Sequence, residues 1–479
     1  MSICVIGSGL SGLAFAIRLK LHRPDVEIMI ISNQKAGNTV MAGQRFRPRV
    51  AFEDKKESEL LIQVLERRNN MVRTPEMERY ASTAIEELQF WTQLKPRDLG
   101  IDISDLHWDE RPEWFGPQWG RANADGNGRG KDVVSWLSRV ADAIGVKFFS
   151  GTARQLHRRG KYIDYVVVDI RGIFVRIKTD FYVLAGGSIG GTIFNSTNVP
   201  IKYSPQHLLY ESGLDMVGCT LNMFHILGYS NSAGATKVGC FETDRLADAE
   251  IYLKDPVTND YTLFDDITTE LLRQHRAHYY FDDIAKRFLA HGGVVEVRFS
   301  DGTPPGYGRV SHHYNHMAAR TTDGVLVHDT ANLYAVGDAS GCGYWSGYQV
   351  RLPGAALTTC LVTASHAARS ICDHLMGSIS PTVDTVLCHD SNVADLPSIE
   401  RAIRDINTKR IFDIQYTGSS IEITADNWHN DLQALKQQVG VFNAPLEISL
   451  AVADIFRIHG RNTREPIVLS RHREHHYAE

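Results

Sequence analysis

One six-residue run near the amino terminus constrains this chain more than any other feature: Gly7-Ser8-Gly9-Leu10-Ser11-Gly12, spaced as GxGxxG. Alone it is weak, but its flanks give it a context. Ile3-Cys4-Val5-Ile6 precedes it, an unbroken apolar run of the kind that forms a strand buried on both faces. Leu10 to Leu21 follows with apolar residues at helical spacing and stops before Arg23-Pro24-Asp25, and Val26 to Ile31 is a second apolar run. Strand, glycine turn, helix and strand within about 30 residues make the Rossmann unit. Gly7 permits the tight turn, Gly9 admits a pyrophosphate to the backbone, and Gly12 lets helix meet strand, so the helix amino end faces phosphates. A bound dinucleotide is the expectation. The second strand ends in Ser32 and Asn33 rather than in the acidic residue that usually holds the adenosine ribose. This weakens a generic NAD reading and leaves FAD open, since a hydroxyl and an amide also bond a ribose.

Two later apolar runs end in glycine: Phe181 to Gly187, through Ala185 and Gly186, and Leu333-Tyr334-Ala335-Val336-Gly337-Asp338. The Gly-Asp ending lets backbone and carboxylate meet a ribityl chain or a phosphate. The return to the nucleotide fold after some 150 residues implies an inserted domain. Gly186 to Gly191 has the wrong spacing for a second dinucleotide fingerprint, which argues against a separate NAD(P)H domain.

At 479 residues the chain exceeds one compact domain, and two or three are expected at roughly 150 residues each. A net charge of −5 gives no electrostatic reason to expect nucleic acid or an anionic membrane. The seven cysteines form no CxxC pair, which argues against disulfides, structural zinc and iron–sulfur clusters, and His472, His475 and His476 match no closed metal site. No apolar run reaches the roughly 18–20 residues that span a bilayer, and a core strand from residue 3 leaves no room for a secretion signal. A soluble, cytoplasmic protein is expected. The pattern predicts helices over Lys55–Leu94, Val133–Ile144, Thr268–Ala290, Ala355–Leu375 and within 395–460. It predicts loop over Trp108–Gly130, a strand near Val146–Phe149, a hairpin over Tyr162–Ile177 turning at Arg171-Gly172, and mixed short elements over 221–312. The fold class is α/β: a Rossmann-type FAD-binding domain (1–220 and 313–390), an inserted α+β capping domain (221–312) and a C-terminal helical region (391–479).

Taken in order, these residues resemble one family: the flavoprotein subunits of succinate dehydrogenase and fumarate reductase, together with L-aspartate oxidase. Ser32 is the choice of the L-aspartate oxidase branch. Gly37 to Gln44 resembles the segment that wraps the flavin, with Asn38 where succinate dehydrogenases carry a flavin-linked histidine, so the resemblance implies non-covalent FAD. Asp125-Gly126-Asn127-Gly128, Leu184 to Gly187, Tyr334 to Asp338 and Arg351 to Leu357 resemble further motifs. The resemblance thus makes Gly7, Ser8, Gly9, Leu10, Ser11, Gly12, Ser32, Asn33, Asn38, Thr39, Ala42, Gly43, Ala153, Ala185, Gly186, Gly337, Asp338, Ala356 and Leu357 the cofactor-binding candidates.

The active-site candidates come the same way. Asn222 to His225 resembles the family's Gln-Phe-His, whose histidine binds a substrate carboxylate. Thr243-Asp244 resembles its Thr-Glu pair. Ser311 to Tyr314 resembles its Ala-His-Tyr, making His313 the ligand of a second carboxylate, and Arg351 resembles the arginine that clamps that group. Arginine offers a carboxylate a planar fork of donors, and imidazole adds one more. The chain departs from the family where the cap arginine should stand, since Asp282-Asp283 falls there, and residues Asn315 to Thr322 read as an insertion.

The implied activity is an FAD-dependent oxidase or dehydrogenase. It oxidises a small carboxylate-bearing substrate, an amino acid or dicarboxylate, by hydride transfer to flavin N5, with reoxidation by O2 or a soluble acceptor. Three alternatives stand beside it: a fumarate-reductase-like enoate reductase, an NAD(P)H-dependent flavin monooxygenase, and a non-catalytic flavin binder.

Overall fold

The computed structural model describes residues 1–33, 38–41, 75–106, 108–109, 118–119, 129–193, 204–219, 222–230, 239–240, 249–254, 258, 260–263, 294–300, 306–341, 355–374, 382–386, 396–416, 421–439, 444–459, 467–468 and 476–477. The chain opens with β1 (Ser2–Ile6), α1 (Leu10–His22) and β2 (Glu27–Ser32). Helices α2 (Pro75–Gln93) and α3 (Arg129–Ala143) lead to β3 (Lys147–Ser150). Three antiparallel strands follow, β4 (Thr152–Arg159), β5 (Tyr162–Ile170) and β6 (Ile173–Lys178), before the chain re-enters the first sheet at β7 (Phe181–Leu184). The β5–β6 turn is Arg171-Gly172, with φ of 55° and 85°, the conformation that matches the twist of a two-residue hairpin.

The first sheet is parallel and contains β7, β1, β2 and β3, with β16 (Leu333–Ala335) outside β7. Apart from the exposed edge strand β3, its strands are buried, which is why they read as continuous apolar runs. Ile3 and Val5 join one core with Leu13, Ile17, Trp91, Leu137 and Leu361, while Cys4 and Ile6 join the other with Ile177, Leu208 and Trp428. Strand order reverses beside β1, between β2 and β7. Open α/β sheets bind ligands outside the carboxyl ends of their strands at such a point.

From α4 (Pro205–Glu211) and the short β8 (Met216–Val217) the chain crosses into a six-stranded antiparallel sheet. It contains β9 (Asn222–Ser230), β10 (Gly239–Cys240), β11 (Ala249–Lys254), β12 (Tyr261–Leu263), β13 (Val294–Phe299) and β14 (Gly306–Asn315), in the order β10-β9-β14-β13-β11-β12. This region is more regular than the mixed short elements its sequence suggests, because β9 pairs with β14 some 80 residues later and bulges break the alternation that sequence reading relies on. The expected helix over Thr268–Ala290 lies outside the described residues. Residues 315–322, read as an insertion, are built into the fold: β15 (Ala318–Ala319) pairs with β8, and Met317, Ala318 and Ala319 are fully buried. Within Trp108–Gly130, expected as loop, Trp108–Asp109 pairs with Gln118–Trp119 and α3 begins at Arg129.

Helix α5 (Ala355–Asp373) returns to the parallel sheet, and β17 (Thr382–Val386) adds to the edge of β6. Three helices close the fold: α6 (Leu396–Tyr416), α7 (Ile421–Val439) and α8 (Ala444–His459). Asn407 ties them together and to the body: its Nδ2 donates to the Ile193 carbonyl (2.9 Å) and Ser449 Oγ (2.7 Å), and its Oδ1 accepts from Trp428 Nε1 (2.8 Å). Near the carboxyl end of the sequence, Ile467–Val468 pairs with His476–Tyr477. Among the described residues no helix is long and apolar enough to cross a membrane.

Candidate functional site

The opening glycine turn is shaped by packing. Gly7 has φ of +118°, its N–H donates to the Ile31 carbonyl (2.9 Å), and a Cβ there would stand 2.5 Å from the Ala185 carbonyl oxygen. Gly12 lies against the Gly7 carbonyl, so turn, helix and β7 form one tight junction. Gly9 differs: the nearest atom to a Cβ there is Thr39 Oγ1, at 3.3 Å. It caps α1 with no side-chain hydrogen bond, and Thr39 Oγ1 accepts the Leu10 N–H (3.0 Å). A long helix thus begins behind an open glycine, the arrangement that receives a phosphate. Ser8 and Ser11 are buried beside it.

Gly337 and Asp338 reach the same place from the other edge. The Gly337 N–H donates to Thr363 Oγ1 of α5 (2.8 Å), and Ser11 lies against its α-carbon. Ala356 and Leu357, half-buried, are in the first turn of α5. Cys360, one turn on, is held as a thiol: burial first, and then the Asp338 charge, push its pKa well above the ordinary range. It offers no thiolate to chemistry at this site.

Ser32 and Asn33 stand at the end of β2. The Ser32 carbonyl accepts the Gly151 N–H (3.2 Å), and Asn33 Nδ2 donates to Thr152 Oγ1 (3.1 Å). Ala153 stands at a bulge in β4 with its methyl buried in the core, so its side chain is committed to packing. Asn38 and Thr39 form a 3-10 turn over the start of α1. Ala42 and Gly43 lie outside the described residues. Gly7, Ser32, Asn33, Ala185, Gly186, Gly337 and Asp338 stand at the carboxyl ends of β1, β2, β7 and β16, with Gly9 to Gly12 and Thr39 beside them. They fit an FAD: a glycine cradle, a helix start capped by a glycine and leaving the backbone open to a pyrophosphate, and hydroxyl, amide and carboxylate groups for ribose and ribityl.

The substrate candidates divide. His225 and His313 lie on neighbouring strands of the six-stranded sheet: His225 pairs with Ser311, Phe224 with His312 and Met223 with Tyr314, leaving His313 as the extra residue of a bulge. Arg351, Thr243 and Asp244 lie outside the described residues. Among the described residues no cluster of three or more His, Cys, Asp or Glu could hold a metal.

Sequence reasoning missed the polar root of this sheet. Ser188 Oγ, just past the end of β7, donates to the Asn315 carbonyl (3.0 Å), and buried Gln206 Nε2 donates to the carbonyls of Gly187 (3.2 Å) and Met317 (2.8 Å). None of these three belongs to a motif, and their partners lie more than 100 residues away in two of the three contacts.

No family model matches the chain, and no curated protein sequence matches it at a significant level. Solved structures do. The Sdh1 complex of Mycobacterium smegmatis in its apo form is 15% identical, with 96% of this chain and 87% of that one covered at a TM-score of 0.66. An E. coli quinol fumarate reductase carrying a FrdA mutation is 13% identical, with 96% and 87% covered at 0.63. The open conformation of a flavocytochrome c3 fumarate reductase is 14% identical, with 78% of each chain covered at 0.53. The chain therefore has the fold of these succinate dehydrogenase and fumarate reductase chains, a Rossmann-type α/β domain with an inserted cap and a C-terminal helical region.

Proposed function

We propose that this protein is an FAD-dependent oxidoreductase that oxidises a small carboxylate-bearing substrate, an amino acid or a dicarboxylate. One observation carries the reading. The two strands bearing His225 and His313 are paired, and their root at Asn315 is bonded to Ser188 at the end of β7, beside the glycine cradle. Strand geometry puts His313 about 7 Å further along from Asn315, within reach of a small molecule held over that strand end.

FAD, when bound, supplies N5 as the hydride acceptor. The chain does the rest. The cradle around Gly9 and Gly337 fixes the dinucleotide by its phosphates and polyol. His225 gives one donor to one substrate carboxylate, and His313 with the paired N–H groups of Arg351 holds the second. Two anchored ends hold one C–H bond in a single orientation, and that orientation is the catalytic gain. Without cluster cysteines in the sequence, electrons leave to O2 or a soluble acceptor.

The fold's occurrence in fumarate reductases favours a second reading, the reverse reduction of an enoate. One experiment separates them. The FAD-loaded protein is mixed anaerobically with L-aspartate, other amino acids and succinate, and flavin absorbance is followed. Dithionite-reduced protein is then offered fumarate. Bleaching in the first arm supports oxidation, and reoxidation in the second alone supports enoate reduction. Silence in both arms overturns the carboxylate reading, and His225→Ala is expected to abolish whichever response occurs.

A further inference from the structure

We propose that Asn315 is the positioning residue that holds both histidine-bearing strands against the cofactor-facing end of β7. Its amide is fully buried and works in two directions. Nδ2 donates to the Cys219 carbonyl (3.2 Å), and Oδ1 accepts the Met317 N–H (2.9 Å). Its backbone carbonyl accepts from Ser188 Oγ (3.0 Å). In register it pairs with Asn222, three residues before His225, and it follows His313 by two. One side chain therefore ties the chain entering the sheet to the chain leaving it, and its backbone ties both to the loop after β7.

The two crossings are already close. β8 pairs with β15, and Gly218, with φ of +77°, lies so near the returning strand that a Cβ would stand 2.5 Å from the His316 carbonyl oxygen. Gln206 adds a brace from Gly187 to Met317. Only a side chain with both a donor and an acceptor can serve the Cys219 carbonyl and the Met317 N–H together, since aspartate lacks the donor and leucine lacks both. Losing it leaves two buried backbone groups unmatched at the point where the histidine strands take their position.

The substrate half of this inference rests on the reading of His225 and His313 as carboxylate ligands; the strand-holding half does not. The test uses the FAD-loaded full chain as wild type, Asn315→Ala and Ser188→Ala, the second leaving the Asn315 amide in place. Hydrogen–deuterium exchange is measured over 222–230 and 306–315, with 162–170 as the control. Malonate, a dicarboxylate that cannot be desaturated, is titrated by flavin difference spectra. Asn315→Ala is expected to speed exchange in both histidine strands by about fivefold or more and leave the control unchanged. Malonate binding weakens about tenfold, and less in Ser188→Ala, with FAD content retained. Should Asn315→Ala fail to fold, Ser188→Ala decides on the same readouts. Unchanged exchange in both strands, or an equal rise in the control, overturns the proposal, as does local loosening with malonate affinity unaltered. If the strands loosen but wild type binds no malonate, the strand-holding role stands and the carboxylate reading falls.

Discussion

A Cβ on Gly337 would stand 2.7 Å from Ser11 Oγ and 2.9 Å from Ser11 Cβ, so the turn that follows β16 and the first turn of α1 meet with no room for a methyl group. Gly337 also holds φ of +62°, which side chains rarely adopt. Gly337→Ala should push the two halves of the cofactor cradle apart. The expected result is a folded protein whose FAD affinity falls at least about tenfold, read as the FAD-to-protein ratio after desalting. Full retention of FAD would remove the Gly-Asp turn from the cofactor site.

Gly7 and Gly9 separate packing from ligand binding within one motif. A Cβ at Gly7 meets backbone at 2.5 Å and needs φ of +118°, so Gly7→Ala should cost more than about 3 kcal/mol and appear as a large drop in melting temperature. A Cβ at Gly9 meets only a hydroxyl, at 3.3 Å. Gly9→Ala should therefore keep the apoprotein near wild-type stability while weakening FAD by about tenfold or more, because the methyl occupies the pyrophosphate's approach. Thermal melts with and without added FAD distinguish the two.

The nucleotide half was readable because its physics is local. Ile3 to Ile6 and Tyr182 to Leu184 are buried on both faces and show it as apolar runs, and Arg171-Gly172 announces its turn by residue type. The cap was not readable in the same way. Strands 222–230 and 306–315 draw their partners from far along the chain and carry bulges at the very residues of interest, so His225 and His313 were found through their resemblance to a known pattern. Ser188, Gln206 and Asn315 left no trace in composition or spacing, since their role exists only once two distant crossings lie side by side. Arg351, Thr243 and Asp244 still rest on the resemblance alone.

Arg18 of α1 and Glu87 of α2 form a buried ion pair at 2.9 Å, with side chains 10% and 0% exposed, and Arg18 stacks over the Phe90 ring. Burial dominates both groups, lowering the pKa of Arg18 and raising that of Glu87, while their mutual attraction opposes each shift. Breaking such a pair is worse than removing it. Glu87→Ala is expected to destabilise by about 3–5 kcal/mol in urea denaturation, whereas Arg18→Met with Glu87→Leu should lose much less. Equal losses would mean the pair stabilises the helix junction outright.

His207 gives the fold a defined acid sensitivity. It sits in the first turn of α4, fully buried, where its Nδ1 accepts the Ser204 N–H (2.9 Å) in a capping box, and Pro205 beside it packs on Gly186. Burial pushes its pKa down to about 4 from the ordinary 6.5. The unfolded chain thus takes up a proton near pH 6.5, while the folded chain resists until about pH 4. Stability from this group is complete above pH 6.5 and drains away as pH falls toward 4, by about 3 kcal/mol over the window. His207→Gln should be less stable than wild type at pH 7.5, because the capping geometry is lost, and the gap should narrow steadily between pH 6.5 and pH 4.5. Urea denaturation of both proteins across that range measures it. A constant gap would show that the imidazole does not stay neutral in the folded protein.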